Sequence, residues 1–443
     1  MEFKARLFQD PCLPEGTTAV NCILTVTPVG IGKAAVAVQG GKLVIGFVLD
    51  NSGSMKGDKL AAAKMGTEAA INALDANQSF FVVAGDDLGT LIHPITAATP
   101  ENKAAGIARV HGMRADSGTY FSRWLSAARR AFASNAGGIN ILVFLTDGKN
   151  EGEEVGVLTK ELANCKGAFQ AHCRGVGSDW RPNELRMVSE QLKGTTDMIK
   201  DPASTAAEFK AIVTEAKGLE ISSALVQLWV PKLPDGTMPK VTTFKQMTPQ
   251  QVDMTKDLKP GADAQTFVVD TGAWGAETPR DYMIIYDLLK PGVPNGPKQL
   301  AGRVAFNYKD GGADKFAEIT YTDKGEEKVG PKGLVVASWT ADLAEATSKM
   351  DPTLANYTGQ AELTKKIQEG LQARAQGRDA DATKALQRAV ELAEQTGNEG
   401  TKKLLAKVVD RDQDGTVKLK KGVNNADVVE LDSRSTRTKR ITG

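Results

Sequence analysis

Four short apolar runs constrain the fold of this chain more than any other feature of it. They are LVIGFVL at 43–49, FFVVA at 80–84, ILVFL at 141–145 and FQAHCRGVG at 169–177. Continuous apolar strands without alternation are covered on both faces, as in a parallel sheet wrapped by helices. Between them lie stretches at helical spacing, 59–74, 101–110, 121–132 and 153–162. Strands alternating with helices predict a doubly wound α/β domain. A short strand at 196–199 and a helix over 206–216 complete it.

The flanks read differently. Residues 18–27 alternate, with Val20, Cys22, Leu24 and Val26 on one face, which predicts a half-buried strand. After about residue 217, strand-like segments recur between Pro, Gly and Asp clusters: LEISSALVQLWV, AQTFVVD, YMIIYDLL, GRVAFNY, FAEITYT and LVVASWT. Such a series predicts an antiparallel sandwich or barrel. The early strand has the same character. The expected architecture is therefore an α/β domain at 40–217 inserted into a β-sandwich made of 1–39 and 218–340.

Helical periodicity returns near 351, with Leu363, Ile367 and Leu371 on one face, then Leu386, Ala389, Val390 and Ala393, then Leu404 and Leu405. Three short amphipathic helices at 341–410 predict a small bundle or a layer packed on the sandwich. A helical repeat array would need a fixed period over at least three copies, and none is present. Residues 411–443 are polar and end in SRSTRTKRITG, where Arg434, Arg437, Lys439 and Arg440 crowd together. A solvated basic tail is the expectation, with a docking segment or a phosphorylation site at Ser433, Ser435, Thr436 or Thr438 as alternatives. A chain of 443 residues suits about three domains.

Composition excludes several functions. The 55 basic and 54 acidic residues leave a net charge of +1, and hydrophobic residues make up 41%. Chain-wide disorder would need less apolar content and more net charge. A chain-wide grip on nucleic acid would need a basic excess. No run of about 18 apolar residues predicts a transmembrane helix. The first twenty residues lack the apolar stretch of a signal peptide, so the expected location is the cytoplasm. Cys12, Cys22, Cys165 and Cys173 do not have zinc-knuckle spacing and are expected to be reduced, buried hydrophobes. With only His93, His111 and His172, any bound metal must be held mainly by oxygen.

Oxygen donors cluster at the end of the first buried run, LVIGFVLDNSGSM. Asp50, Ser52 and Ser54 fall in the loop at the carboxyl end of that strand, the edge where open α/β sheets bind ligands. Oxygen-only donors select Mg²⁺, Mn²⁺ or Ca²⁺ over zinc or copper. Two more loops at that edge add Thr119, in ADSGTYF, and Asp147, in ILVFLTDGKN. Capping of the next helix by Asp50 and Ser52 is the plain alternative, but it leaves Thr119 and Asp147 unexplained. Asp86 and Asp87 read as turn or supporting residues, and Met55 as packing behind the loop.

D-x-S-x-S, then a Gly-Thr loop, then a strand ending T-D-G, resembles the von Willebrand factor A domain and its metal-ion-dependent adhesion site. FFVVAGDDLGTLIHPIT and RGVGSDW fit the same family, over about residues 40–217. The resemblance implies a Rossmann-like doubly wound fold and a divalent ion, Mg²⁺ or else Mn²⁺ or Ca²⁺. It implies that Ser52, Ser54 and Thr119 ligate through hydroxyls, with Asp50 and Asp147 direct or through water. It also implies a coordination position completed by a carboxylate of a partner protein. Ser117 stands where the family often has a first glycine before Gly118-Thr119, which puts metal affinity rather than the site in question. With its β and helical parts, the chain resembles cytosolic bacterial members.

Other motifs carry less. Asp410, Asp412, Asp414 and Gly415 match the first half of an EF-hand loop, but the twelfth position is Lys421, so a turn is expected. A P-loop and a nucleophile elbow are both missing. The expected function is metal-dependent protein binding without catalysis. The alternatives are a metal-binding accessory subunit of an ATPase or Ser/Thr kinase pathway, and a metal-dependent hydrolase. Membrane and nucleic-acid partners are not expected.

Overall fold

A computed structural model describes residues 1–29, 43–150, 152–233, 235–276, 278–310, 312–323, 325–411, 417–420, 422–438 and 440. Two strands come first, β1 (Glu2–Gln9) and β2 (Ala19–Val29), paired antiparallel. The apolar runs then form β3 (Val44–Asp50), β4 (Ser79–Gly85), β6 (Asn140–Thr146) and β7 (Gln170–Val176). An antiparallel edge strand, β5 (Thr90–Ala97), and β8 (Thr196–Ile199) extend the sheet to the order β5-β4-β3-β6-β7-β8. All pairs but β4–β5 are parallel. The hairpin at that edge is the one departure from the expected parallel sheet.

Every residue of β3, β4 and β6 is buried, because helices cover both faces. Alternate residues point opposite ways. Ile45, Phe47 and Leu49 pack with α1 (Asp58–Asn72), α2 (Pro100–His111) and α6 (Thr205–Lys217). Val44 and Val48 pack with α3 (Phe121–Phe132), α4 (Val155–Cys165) and α5 (Pro182–Gln191). Each of these helices begins or ends within a few residues of its expected stretch except α5, which is not among the expected helices.

After α6 come β9 (Ala224–Trp229), β10 (Lys240–Thr248), β11 (Thr266–Asp270), β12 (Arg280–Asp287), β13 (Gln299–Asp310), β14 (Glu318–Asp323), β15 (Glu326–Gly330) and β16 (Gly333–Ala337). One sheet runs β10-β12-β2-β1-β14-β15, with Val252–Asp253 beyond β10; the other is built on β11-β9-β13, with β16 on β13. Their inner faces share one core, in which Phe3, Leu7 and Leu24 meet Val226, Val304 and Phe306 around Trp274. Within these two sheets the described pairs are antiparallel except β1–β14, which is parallel, and beside them Leu13–Pro14 pairs in parallel with Trp339–Thr340, unlike the wholly antiparallel arrangement expected. A parallel pair needs a long connection, and here the entire α/β part lies between the two strands.

A short helix, α7 (Leu343–Ser348), leads to α8 (Pro352–Ala375), α9 (Asp379–Gln395) and α10 (Glu399–Val408). The expected apolar stripes face one another: Leu363, Ile367, Leu371, Leu386, Ala389, Ala393 and Leu405 form one cluster. At 24 residues α8 is not short. Its start packs outward on the larger sheet, Leu354 and Tyr357 against Ile23, Met247 and Met283.

The expected solvated tail is overturned. Val417–Leu419 pairs with Val409–Arg411, and α11 (Asn425–Arg434) lies against β8 and α5. Val429 joins the α/β core and Leu431 the helical core. Asp197 receives Arg434 at 3.0 Å and also Arg437; Arg186 reaches Asp432 at 2.8 Å. Ser433, Ser435 and Thr436 are buried, so phosphorylation of the folded chain at these positions has no route. Ser435 O accepts from Thr364 Oγ1, and Thr436 O from Gln251 N, so this segment ties the α/β, β and helical parts together. Buried carboxylates neutralise the arginines, and a charge count along the sequence cannot see that. Lys439 lies outside the described residues, as do Asp412, Asp414, Gly415 and Lys421. Among the described residues, no helix is long and apolar enough to cross a membrane.

Candidate metal centre

The three loops singled out above meet at the carboxyl edge of the central sheet. β3 ends at Asp50, which is fully buried and whose Oδ1 accepts the Ser52 amide at 2.7 Å. That bond turns the chain sharply, so Ser52 and Ser54 come side by side with their Oγ atoms 3.0 Å apart. Ser52 is the N-cap of a short 3₁₀ turn, Gly53–Met55, and Gly57 that of α1, and neither end has a side-chain capping bond, which counts against the capping alternative. Met55 is fully buried behind the loop, as expected.

The second loop is stitched to the first by main chain. Gly53 N donates to Ser117 O at 3.1 Å and Asp116 N to Asn51 O at 3.1 Å. Asp87 supports it by accepting the Gly118 amide at 2.8 Å, while Asp86 Oδ1 accepts Leu88 N and Thr90 N in the β4–β5 turn. Gly118 has a purpose here: a Cβ on it would stand 2.9 Å from Asp87 Oδ1. Ser117, where the family often has glycine, makes a bridge with Ser52. The loop reaches the cup without that first glycine.

The third loop follows β6. Asp147 is fully buried and accepts from Ser54 Oγ at 2.7 Å and from Lys59 Nζ at 2.5 Å. Thr146 donates its hydroxyl to Asp50 Oδ2 and accepts the Gly148 amide at 3.1 Å. Gly148 locates the centre of the arrangement. A Cβ there would lie 3.4 Å from Thr119 Oγ1, 3.6 Å from Ser54 Oγ and 3.8 Å from Asp50 Oδ2. Oxygens from the first two loops thus face one small space on the third, which Gly148 leaves open by lacking a side chain.

Electrostatics suit a cation. Burial pushes the Asp50 carboxyl up to about 6, with Asp147 adding to the rise and donors from Ser52 and Thr146 opposing it. A dication beside it would favour the ionised form. Among the described residues no group of three or more His, Cys, Asp or Glu could hold a metal, so any ion in this cup would take most of its donors from hydroxyls. The residues fit a small, oxygen-preferring dication. Sequence reasoning missed Thr146 and Lys59. Thr146 sits in the quoted T-D-G, and Lys59 is a cation in the first turn of a helix, where a basic residue opposes the helix dipole.

The remaining expectations fall away from this cup. His93 stacks on Phe80, His111 meets Glu68, and His172 bonds Thr195. Burial raises the thiols of Cys22, Cys165 and Cys173, the last two to about 12, and all four cysteines are free.

Residues 45–150 match the von Willebrand factor type A domain, and residues 391–435 the von Willebrand factor type A C-terminal domain. A solved structure described as von Willebrand factor type A from Catenulispora acidiphila is 34% identical, with a TM-score of 0.87, covering 99% of this chain and 97% of that one. The chain belongs to the von Willebrand factor type A family. The A domain here is the α/β part, and α11 lies within the C-terminal match. The ArnB paralog VWA2 from Sulfolobus acidocaldarius is 14% identical with a TM-score of 0.59 over 99% of this chain and 98% of that one, a likeness of fold. The curated relative, uncharacterized protein sll0103 of Synechocystis sp., is 23% identical over 211 residues. That match spans 47% of this chain and about half, 49%, of the relative. Von Willebrand factor type A domains mediate protein–protein interactions, often through a metal.

Proposed function

We propose that this protein is a metal-dependent protein-binding module of the adhesion-site type, without catalysis. Ser52, Ser54 and Thr119 would hold Mg²⁺, or Mn²⁺ or Ca²⁺ in its stead, through their hydroxyls. Asp50 and Asp147 would support them directly or through water. When bound, the ion supplies a Lewis-acidic position that a carboxylate of a partner protein can occupy. The observation that carries this reading is the space at Gly148, flanked by Thr119, Ser54 and Asp50 oxygens at 3.4–3.8 Å. Such a donor set is poor in negative charge for a dication, which favours recruiting one more anionic ligand.

We read the two-sheet β part as a sandwich that carries the A domain as an insertion and presents its metal edge. The protein is read as cytoplasmic and of the bacterial type. The test is capture of proteins from native lysate with Mg²⁺ against EDTA, using wild type and Thr119→Ala. A partner retained only with Mg²⁺ and lost with Thr119→Ala supports the reading. Capture that persists unchanged in EDTA refutes it, and turnover of a phosphoester panel dependent on Asp50 would make the protein an enzyme.

A further inference from the structure

Lys59 stands in the first turn of α1, where the helix dipole disfavours a cation. Its compensation is Asp147, whose Oδ2 lies 2.5 Å from Nζ. The other oxygen of this fully buried carboxylate accepts the Ser54 hydroxyl at 2.7 Å. Asp147 is therefore gripped from two sides, by a proposed metal donor and by an ammonium. The ammonium is itself enclosed: Lys59 is 26% exposed, and Asp179 Oδ2 lies 3.8 Å from Nζ. From the loop after β7, a Cβ on Gly177 would stand 3.6 Å from Lys59 Cε.

Charge counting shows what this contact does. Asp50 and Asp147 bring two negative charges to the cup, and Lys59, nearer to Asp147 than to the exposed Asp179, offsets most of one of them. A dication seated there would keep an excess of positive charge, which a partner's carboxylate could then neutralise. Without Lys59 the two carboxylates would neutralise the ion within the protein.

We propose that Lys59 is a positioning residue of the metal centre. It fixes Asp147 as the acceptor that orients Ser54, and it withholds part of the Asp147 charge from the ion. Metal affinity is lower as a result, and the bound ion is more electrophilic. This rests on the metal-dependent reading above.

The test titrates Mg²⁺ and Mn²⁺ calorimetrically into the full chain as wild type, Lys59→Met and Lys59→Arg, with Tm measured with and without metal. Lys59→Met should bind either ion roughly tenfold more tightly, because one repelling charge is gone. Without metal its Tm should fall, since the buried Asp147 has lost its cation, and its metal-induced rise in Tm should exceed that of wild type. Lys59→Arg keeps the charge and should stay within about threefold of wild type. If Lys59→Met does not fold, Lys59→Gln carries the same expectation. Wild type that binds, with Lys59→Met or Lys59→Gln no tighter, overturns this proposal alone and leaves an ordinary structural ion pair. Wild type that binds neither ion, nor Ca²⁺ titrated in the same way, overturns the metal reading and this one with it.

Discussion

Replacing Gly148 by alanine tests the cup directly. The added methyl would sit 3.4 Å from Thr119 Oγ1, 3.6 Å from Ser54 Oγ and 3.8 Å from Asp50 Oδ2. Those are ordinary contact distances, and Gly148 is not among the positive-φ glycines. The metal-free fold should therefore accept alanine, with a gain of up to about 1 kcal/mol from a stiffer unfolded chain. A bound ion is another matter. Mg²⁺ sits about 2.0–2.1 Å from its oxygens and keeps several waters, and the methyl takes the space those waters need. In wild type, metal at about 100 times its Kd stabilises by about 2.7 kcal/mol. For a domain of this size that is a Tm rise of roughly 5–10 °C. Gly148→Ala should raise the metal Kd by at least tenfold, about 1.4 kcal/mol, and lose about half or more of that rise. Calorimetric scans in Mg²⁺ and in EDTA measure both quantities. A variant that keeps the full metal-dependent rise would show that the ion does not sit among these three oxygens. A variant whose Tm collapses in EDTA would show that the space is needed by the fold itself.

Three further outcomes follow from parts of the structure outside the cup. Asp197→Asn removes the buried carboxylate that Arg434 and Arg437 share; with both arginines partly exposed, the expected loss is about 1–3 kcal/mol. Amides of 425–438 should then lose hydrogen-exchange protection first, and unchanged protection there contradicts the docked segment. His172 is held neutral by burial and by Arg174 and Arg280, its pKa depressed to about 3. The unfolded chain takes up this proton near pH 6.5, so stability should decline as pH falls from about 6.5 towards 3, by up to about 1.4 kcal/mol per unit. Denaturant titrations of His172→Gln across that window should lack this component, and parallel curves would refute it. Leu386→Ala opens the helical core, where Leu386 is fully buried and its Cγ would lie 2.6 Å from a Cβ on Gly370. The expected cost is about 2–5 kcal/mol; less than about 1 would mean that the helices repack.

The A domain and its cup were legible because local pattern decides them. Continuous apolar runs cannot face water, so their burial follows from the residues themselves, and each run ends in the loop that bears the donors. Asp50, Ser52 and Ser54 announce themselves by spacing, whereas Thr119 and Asp147 needed the other strand ends to be found first. The β part was legible only by face. Alternation tells which side of a strand is buried but not which strand it joins, and nothing near Lys4 points to Glu318 as its neighbour. The last segment was misread because its arginines were counted as solvent-facing charge. The signal of a folded helix was present in Asn424, which caps α11, and in Val428, Val429 and Leu431 along it. Lys59 was invisible for another reason: its role depends on a carboxylate 88 positions away in the chain.

The strand pairing also sets an order of events during synthesis. β1 is synthesised long before one of its two neighbours, β14, which begins at Glu318, the residue facing Lys4. At about 5–20 residues per second, the wait between those two residues is on the order of 15–60 s. In that interval all six strands of the A domain, Val44 to Ile199, have been made and can close their sheet. β1 and β2 pair with each other in the meantime, and a lone hairpin is marginal in water. The nascent chain thus carries a finished A domain next to an unfinished apolar edge. Any factor that guards this protein against aggregation during translation would be expected to act on β1 and β2 rather than on the A domain.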